Sequence, residues 1–201
     1  MYKIDYNPIS KRWHKQIDSL PEKIKKQIDA PVGKDNLKVL RRVKRTEVKE
    51  GDIFVCSING HIFYYGKVLK ANIQHKDSNN WVNGSHIIFI FKCKTPQKDL
   101  SFFSPNYNEL IVGPEIVSDG YWKLGYFETI GNISLTDEEK TLDYGFFKSN
   151  IIGSGGCFVK ENGEQINHFP RYFSGFGITT YVGIYIAIRR ETILNPSLLT
   201  I

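Results

Sequence analysis

Histidine and cysteine are the side chains of this sequence best suited to metal or nucleophilic chemistry, and their spacing indicates neither. The sequence contains no H-E-x-x-H, C-x-x-C or G-x-S-x-G motif. A metal site would have to be assembled from distant residues such as His61, His86 and Cys93. We therefore predict a protein that is not an enzyme, with no catalytic residue, no metal and no cofactor. The histidines and cysteines are His14, His61, His75, His86, His168, Cys56, Cys93 and Cys157.

Two short stretches resemble ion sites but have simpler explanations. Three acidic residues from Asp137 to Glu139 follow Thr136, which predicts a helix start with a threonine cap and an acidic first turn. The stretch Gly153-Ser-Gly-Gly156 has no Lys-Ser or Lys-Thr after it, which favours a turn over a phosphate-binding loop.

Aromatic residues are the groups that this chain has in excess, at 13% of the sequence. Many occur as adjacent pairs, and adjacent residues of a strand face opposite sides, so one ring of each pair is expected to face outward. Exposed Trp and Tyr side chains are enriched at interface hot spots. The alternative is that helices or loops cover the outward rings. We expect partner contacts from Trp81, Phe103, Tyr107, Tyr121, Trp122 and Tyr126.

The elements that must position these rings are mainly β. Two runs of β-branched and aromatic residues within Glu50–Leu69 flank Asn59-Gly60, which predicts a hairpin with a two-residue type I′ turn. The first run is apolar on both faces, which is typical of a strand in a sheet covered on both sides. The run from His86 to Cys93 is the best candidate for a central strand.

Further β-prone segments extend almost to the end of the chain. They are Leu100–Phe103, Glu109–Val112, Tyr121–Ile130, Leu142–Phe147 and Gly156–Glu161, with Asn162-Gly163 as a second hairpin turn. In the segment 178–190, Val182, Ile184, Ile186 and Ile188 alternate, which favours a strand, although the length also allows a buried helix. The fold class is therefore mainly β, an antiparallel sheet or a barrel-like body that could include SH3-like or PemK-like elements.

A helical arm precedes this body. Five apolar residues recur at helical spacing, and Pro21 is placed to begin a second short helix. This apolar stripe either packs on the body or docks a partner or an anionic surface; it consists of Trp13, Ile17, Leu20, Ile24 and Ile28. We predict a basic helical N-terminal arm at residues 1–36 and a β-rich domain at residues 37–201.

The positive charge of the chain is concentrated near its beginning. The whole chain carries +6, residues 1–50 carry +7, and the remaining residues carry −1. Nucleic-acid-binding domains usually carry basic groups across the folded body, so nucleic acid is an unlikely partner. The basic run Leu37–Arg45 suits an edge strand, with phosphate binding as the alternative. No apolar run reaches 18 residues and no export signal begins the sequence, which predicts a cytoplasmic protein with no membrane span.

Four pieces of sequence, taken in order, resemble the immunity protein 26 family of bacterial polymorphic-toxin systems. The pieces are Val48–Phe54 (VKEGDIF), Tyr65–Leu69 (YGKVL), Leu110–Ile116 (LIVGPEI) and Tyr121–Phe127 (YWKLGYF). The resemblance spans about residues 45–192. It implies a cytoplasmic protein that binds the catalytic domain of a cognate toxin and blocks it, and it defines no catalytic residues. The G-D-I-F strand start also occurs in PemK-type toxins, so the alternative function is a nucleic-acid-binding or RNA-cleaving β-barrel. A small-molecule enzyme is the third hypothesis.

Overall fold

The computed structural model describes residues 2–33, 36–150 and 155–200. Its helices are α1 (Pro8–Asp18), α2 (Glu22–Asp29), α3 (Gly120–Lys123), α4 (Asp137–Lys140) and α5 (Tyr181–Leu194), and two 3₁₀ turns cover Leu100–Phe102 and Pro196–Leu199. Its strands are β1 (Asp52–Cys56), β2 (Phe63–Lys70), β3 (His86–Thr95), β4 (Leu110–Val117), β5 (Glu128–Asn132), β6 (Tyr144–Ser149), β7 (Gly156–Val159) and β8 (Tyr172–Gly175). Gly153 and Ser154, part of the glycine-rich stretch, lie outside the described residues.

The strands form two sheets. The first is antiparallel, with five strands in the order β4-β3-β2-β1-β5. The second has three strands in the order β7-β6-β8, in which β6 runs antiparallel to β7 and parallel to β8. The prediction of a mainly β fold with an N-terminal helical arm is therefore confirmed. The interior strand expected at 86–93 is β3, which pairs with β2 and β4.

The five-stranded sheet is covered on both faces, as the apolar pattern of its first strand predicts. Phe54 and Cys56 of β1 point into one buried cluster, which α5 covers. Ile53 and Val55, the alternating residues, point into another. A third cluster joins Phe89 of β3 to the three-stranded sheet. The first sheet is thus the central layer of the molecule.

The hairpin between β1 and β2 forms, but its turn is not the predicted two-residue type I′. Six residues separate the strands, and Gly60 has a positive φ of 85° while Asn59 does not. The Asn59 side chain instead accepts hydrogen bonds from the backbone N–H groups of His61 and Ile62, both at 2.9 Å. A side-chain-stabilised loop therefore replaces the tight turn. At the second site, Asn162-Gly163 closes a single β-bridge between Val159 and Gln165.

The segment 178–190 is mostly helical, which corrects the preference for a strand. Thr180 caps α5 by accepting a hydrogen bond from the backbone N–H of Gly183. The residues that it buries are spaced for a helix, because Ile184 and Ile188 are one turn apart. Val182 and Ile186 alternate with them in sequence but are 41% and 42% exposed. The strand-like alternation was therefore a mixture of buried and exposed helix positions.

Three shorter expectations are also wrong. Leu37–Arg45 forms no strand. The backbone N–H of Leu40 donates a hydrogen bond to the Gly125 carbonyl, which lies in a loop and not in a neighbouring strand. Leu100–Phe103 is mainly a 3₁₀ turn, and Tyr121–Ile130 begins as the helical turn α3 before β5. By contrast, Thr136 caps α4 as predicted and forms a capping box with Glu139.

The N-terminal helices pack onto the body. The helical arm is interrupted between α1 and α2, and Pro21 directly precedes the first residue of α2, as predicted. Helix α2 is attached to α5 through Arg189, whose guanidinium donates to the carbonyls of Gln27 and Ala30 at 2.8 and 3.2 Å. Ile9 of α1 packs against the apolar cluster of the second sheet. The division of the chain at residue 36 stays a prediction.

Candidate functional site

The histidines and cysteines are dispersed in the folded chain. His86 is buried, and its Nδ1 accepts a hydrogen bond from the backbone N–H of Asn72 at 3.2 Å. His61 is exposed on the β1–β2 loop, and the Cys93 thiol donates to the Phe102 carbonyl at 3.1 Å. Among the residues that the structure describes, no three His, Cys, Asp or Glu side chains converge on a point where they could hold a metal ion.

The six aromatic residues expected to contact a partner fall into three groups. Tyr121 and Trp122 are buried, at 0% and 3% exposure, so the expectation that one of them faces outward is wrong. They lie in a helical turn, where strand alternation does not apply. The Trp122 ring packs edge-on against Phe54 and Phe127, and its indole N–H donates to Thr129 at 3.0 Å. These two residues build the core.

Three of the others are half-buried. Tyr126 packs against Tyr181 at the start of α5, with ring centroids 5.0 Å apart. Phe103 packs against Phe91, and the Tyr107 hydroxyl donates to Glu139 at 2.8 Å. Each has a partner within the protein, and none lies beside Trp81. The six residues do not form one surface.

Trp81 is the exception, because 54% of its surface is exposed. It stands at the rim of a groove of about 390 Å³, which we call the Trp81 groove. The groove brings together the β2–β3 loop, the start of α1, the end of β6 and the end of β8. It is lined by Asn7, Asn80, Trp81, Phe147, Lys148, Ser149, Gly175 and Phe176.

The loop carrying Trp81 is held by its own hydrogen bonds. Asn83 accepts from the backbone N–H of His75 at 2.6 Å, and its amide donates to the carbonyls of Asp77 and Ser78 at 3.1 and 2.8 Å. The next residue after Trp81, Val82, is fully buried and anchors the loop in the core. The exposed indole is therefore presented on a fixed backbone, which lowers the entropy lost on binding.

The groove is suited to binding rather than to acid–base chemistry. Its apolar wall is the Trp81 ring, packed edge-on against Phe176 with centroids 6.1 Å apart. Its cation is Lys148, whose Nζ lies 5.7 Å from the centroid of Phe176. The described lining residues include no carboxylate, histidine or cysteine. The groove thus offers a ligand an apolar ring and the Lys148 cation.

The sequence predicts that Trp81 lies in an exposed loop, but it does not predict which residues surround it in the fold. Asn7, Lys148 and Phe176 come from three distant parts of the chain, and nothing in their spacing connects them. The one sequence signal for the loop is its richness in Asn and Asp between two β-prone runs, since these side chains stabilise turns by bonding to nearby backbone.

The described helices include none that is long and apolar enough to cross a membrane. A family model described as Immunity protein 26 matches residues 49–154, which is more than half of the chain. The match covers the five-stranded sheet, the β2–β3 loop that carries Trp81, and β6. It leaves out α1, α2 and α5. No curated protein and no solved structure matches the chain. Proteins of this family are generally non-catalytic. Because the match covers more than half of its residues, the chain belongs to the immunity protein 26 family.

Proposed function

We propose that this chain is a non-enzymatic immunity protein of a bacterial polymorphic-toxin system, which binds its cognate toxin in the cytoplasm and blocks it. Membership of the family supports binding of a toxin in general. The observation that carries the proposal for this chain is Trp81, more than half exposed and fixed by the hydrogen bonds of Asn83.

An exposed tryptophan on a rigid loop is the kind of residue that dominates interface energetics. Truncating a hot-spot residue typically costs 2 kcal/mol or more of binding free energy. The polar residues Asn80, Ser149 and Lys148 around the Trp81 ring can form a hydrated rim. Phe176 packs against the Trp81 ring and supports it. We propose that an apolar side chain of the toxin packs on the Trp81 ring.

We also propose that the basic arm, residues 1–36, is an addition to the β-rich domain, residues 37–201, and enlarges the binding surface. Asn7 of the arm lines the Trp81 groove. The excess of positive charge in the arm favours a toxin whose contacting face is acidic, because opposite potentials speed association. Cations outside the arm also lie on the surface, at Arg41, Arg42 and Arg45.

Expression of the chain in bacteria together with the toxin domain encoded by the neighbouring gene tests this function. We expect growth to be restored and the two proteins to purify as a complex. Toxicity that persists although both proteins are present and soluble would refute the proposal. The nucleic-acid alternative predicts that the chain binds RNA or DNA with an affinity that falls steeply as salt rises, and it is wrong if no binding appears even at low salt.

A further inference from the structure

A second concave surface lies beside α1 and is dominated by arginine. Arg12 of α1, Arg190 of α5 and Arg171, just before β8, line a cleft of about 310 Å³, which we call the arginine cleft. Glu115 of β4 and Glu191 of α5 also line it. A smaller hollow of about 220 Å³ adjoins it and shares Arg12, Glu115 and Arg190.

Each of the three guanidiniums is positioned by an aromatic ring. The Arg12 guanidinium lies 4.2 Å from the centroid of Phe173, and that of Arg190 lies 4.1 Å from the centroid of Trp13. Arg171 lies 5.1 Å from the ring of its neighbour Tyr172. Stacking on a ring occupies the face of a guanidinium and leaves its N–H edge for acceptors. At Arg171 part of that edge already donates to the side-chain oxygen of Asn108 at 2.7 Å.

These cations have no full counter-charge in the described part of the chain. None of Arg12, Arg171 and Arg190 forms an ion pair with a described carboxylate. Partial desolvation lowers the pKa of Arg12 and of Arg190. The charge of Glu115 opposes this shift at Arg12. At Arg190 the charge of Glu191 opposes it and the charge of Arg12 adds to it. The cleft therefore concentrates positive charge that the fold does not neutralise.

The two carboxylates of the cleft are engaged elsewhere. Glu191 pairs with Lys92 and accepts a hydrogen bond from the Asn195 amide. Glu115 accepts a hydrogen bond from the Thr179 hydroxyl at 2.5 Å and attracts Arg12 only through space. None of the three guanidiniums is directly paired with either carboxyl group, so the cleft keeps an excess of positive charge.

A buried polar group is also left without a partner in the adjoining hollow. Ser174 is 5% exposed and faces the Glu115 carboxyl group, but its hydroxyl finds no hydrogen-bond partner of normal geometry among the described residues. An unsatisfied buried hydroxyl costs free energy, which a polar ligand entering the hollow recovers.

We propose that the arginine cleft binds an acidic segment of the toxin, with one or two side-chain carboxylates accepting hydrogen bonds from Arg12, Arg171 and Arg190. This inference rests on the proposed function and names the chemistry of the partner. Guanidinium and carboxylate form planar, two-point hydrogen bonds, which suit edges left free by stacking. A nucleic-acid strand is a poorer occupant, because the residues after Glu50 carry a net charge of −1 and offer successive phosphates no extended basic surface.

An acidic peptide tests the cleft without the toxin. The full chain, labelled with ¹⁵N, is titrated with a blocked tetraglutamate peptide and, as the control, with tetraglutamine. We expect tetraglutamate at concentrations on the order of millimolar to shift the Nε–Hε resonances of Arg12, Arg171 and Arg190, and tetraglutamine to shift none. Equal shifts at the exposed Arg41 and Arg45, or no shift in the cleft, would overturn the proposal.

Substitutions extend the test to the toxin complex. Arg171→Gln and Arg190→Gln are each compared with Arg45→Gln, which removes the same charge outside the cleft. We expect the cleft variants to weaken toxin binding on the order of tenfold or more and the control by less than threefold. Arg171→Gln changes an exposed side chain, so it keeps the test valid if Arg190→Gln unfolds.

The outcomes separate this inference from the proposed function. If the wild-type chain binds the toxin and both cleft variants bind equally well, the arginine cleft is not a contact and the immunity function stands. If the wild-type chain does not bind the toxin, the immunity function fails, and the peptide titration still decides whether the cleft binds carboxylates.

Discussion

Lys67 and Glu139 form a buried ion pair in which the Lys67 ammonium lies 2.8 and 2.7 Å from the two oxygens of the Glu139 carboxylate. Both side chains are less than a tenth exposed. Burial raises the pKa of Glu139, but hydrogen bonds from Lys67, Thr136 and Tyr107 outweigh it and lower the pKa overall. The pair ties β2, in the middle of the first sheet, to the short helix α4.

Breaking this pair is expected to destabilise the fold severely. Glu139→Gln leaves the Lys67 charge buried without a counter-charge, which costs about 3–5 kcal/mol of the free energy of unfolding. Tyr107→Phe removes one hydrogen bond to the same carboxylate and is expected to cost about 1 kcal/mol. Urea unfolding of the two variants and the wild type measures both. Equal effects would show that the ion pair adds nothing beyond an ordinary hydrogen bond.

Gly66 is required by the ring of Phe54. A Cβ atom at Gly66 would lie 2.1 Å from Cζ of Phe54, whose ring is stacked on Phe127 with centroids 4.3 Å apart. We expect Gly66→Ala to cost roughly 3 kcal/mol, because the ring cannot move without disturbing that stack. Gly60→Ala is the control, since Gly60 has a positive φ but no atom within 4 Å of the added carbon, and about 1 kcal/mol is expected. Thermal unfolding that ranks Gly60→Ala as the worse change would contradict this packing.

Glu115 gives the stability of the protein a specific dependence on pH. Burial raises its pKa from 4.5 to about 7, although the hydrogen bond from Thr179 and the charge of Arg12 oppose the shift. Because the folded state holds this proton more tightly, the contribution of Glu115 to stability is complete below pH 4.5 and is lost as pH rises through 7. Glu115→Gln is therefore expected to gain ~1–3 kcal/mol relative to the wild type between pH 4.5 and pH 8.

The difference in free energy of unfolding between Glu115→Gln and the wild type, measured at intervals across that range, isolates this group. Other groups with shifted pKa, such as Glu161 and Asp143, titrate in both proteins and cancel in the difference. A difference that does not change with pH would show that Glu115 keeps an ordinary pKa.

Asn83 is expected to act on partner binding through Trp81. Asn83→Ala removes three hydrogen bonds of the loop while leaving the buried Val82 anchor in place. We expect the amide of His75 to lose protection from hydrogen exchange and toxin affinity to fall about tenfold, with a loss of about 1–2 kcal/mol in stability. Unchanged affinity despite the lost protection would mean that the rigidity of the loop does not contribute to binding.

The sequence predicted the parts of the fold that depend on local pattern. The continuous apolar run of β3, the proline break between α1 and α2, and the cap at Thr136 are each encoded within a few residues. Segment 178–190 was harder, because apolar residues occupy both faces of α5 and produce a strand-like alternation. The informative signal there was Thr180, three residues before Gly183, in the position of a helix cap.

The candidate site was predictable only in part, because local sequence indicates single loops and not the distant residues that packing brings together. Trp81 lies in a segment rich in Asn and Asp, and that composition predicts an exposed loop. Tyr121 and Trp122 were expected to alternate in a strand but are buried in a helical turn. The arginine cleft unites Arg12, Arg171 and Arg190, and only tertiary packing brings these distant residues together.

The most direct test of the account is the affinity of the toxin for Trp81→Ala, compared with Phe102→Ala. Phe102 is a matched control, because it is 52% exposed against 54% for Trp81 and lies outside the groove. Titration calorimetry with the purified toxin domain is expected to show an increase in Kd of at least ~30-fold for Trp81→Ala, the equivalent of a 2 kcal/mol hot spot, and less than threefold for Phe102→Ala. Equal, small effects of both substitutions on a folded protein would contradict the assignment of the Trp81 groove as the toxin-binding surface.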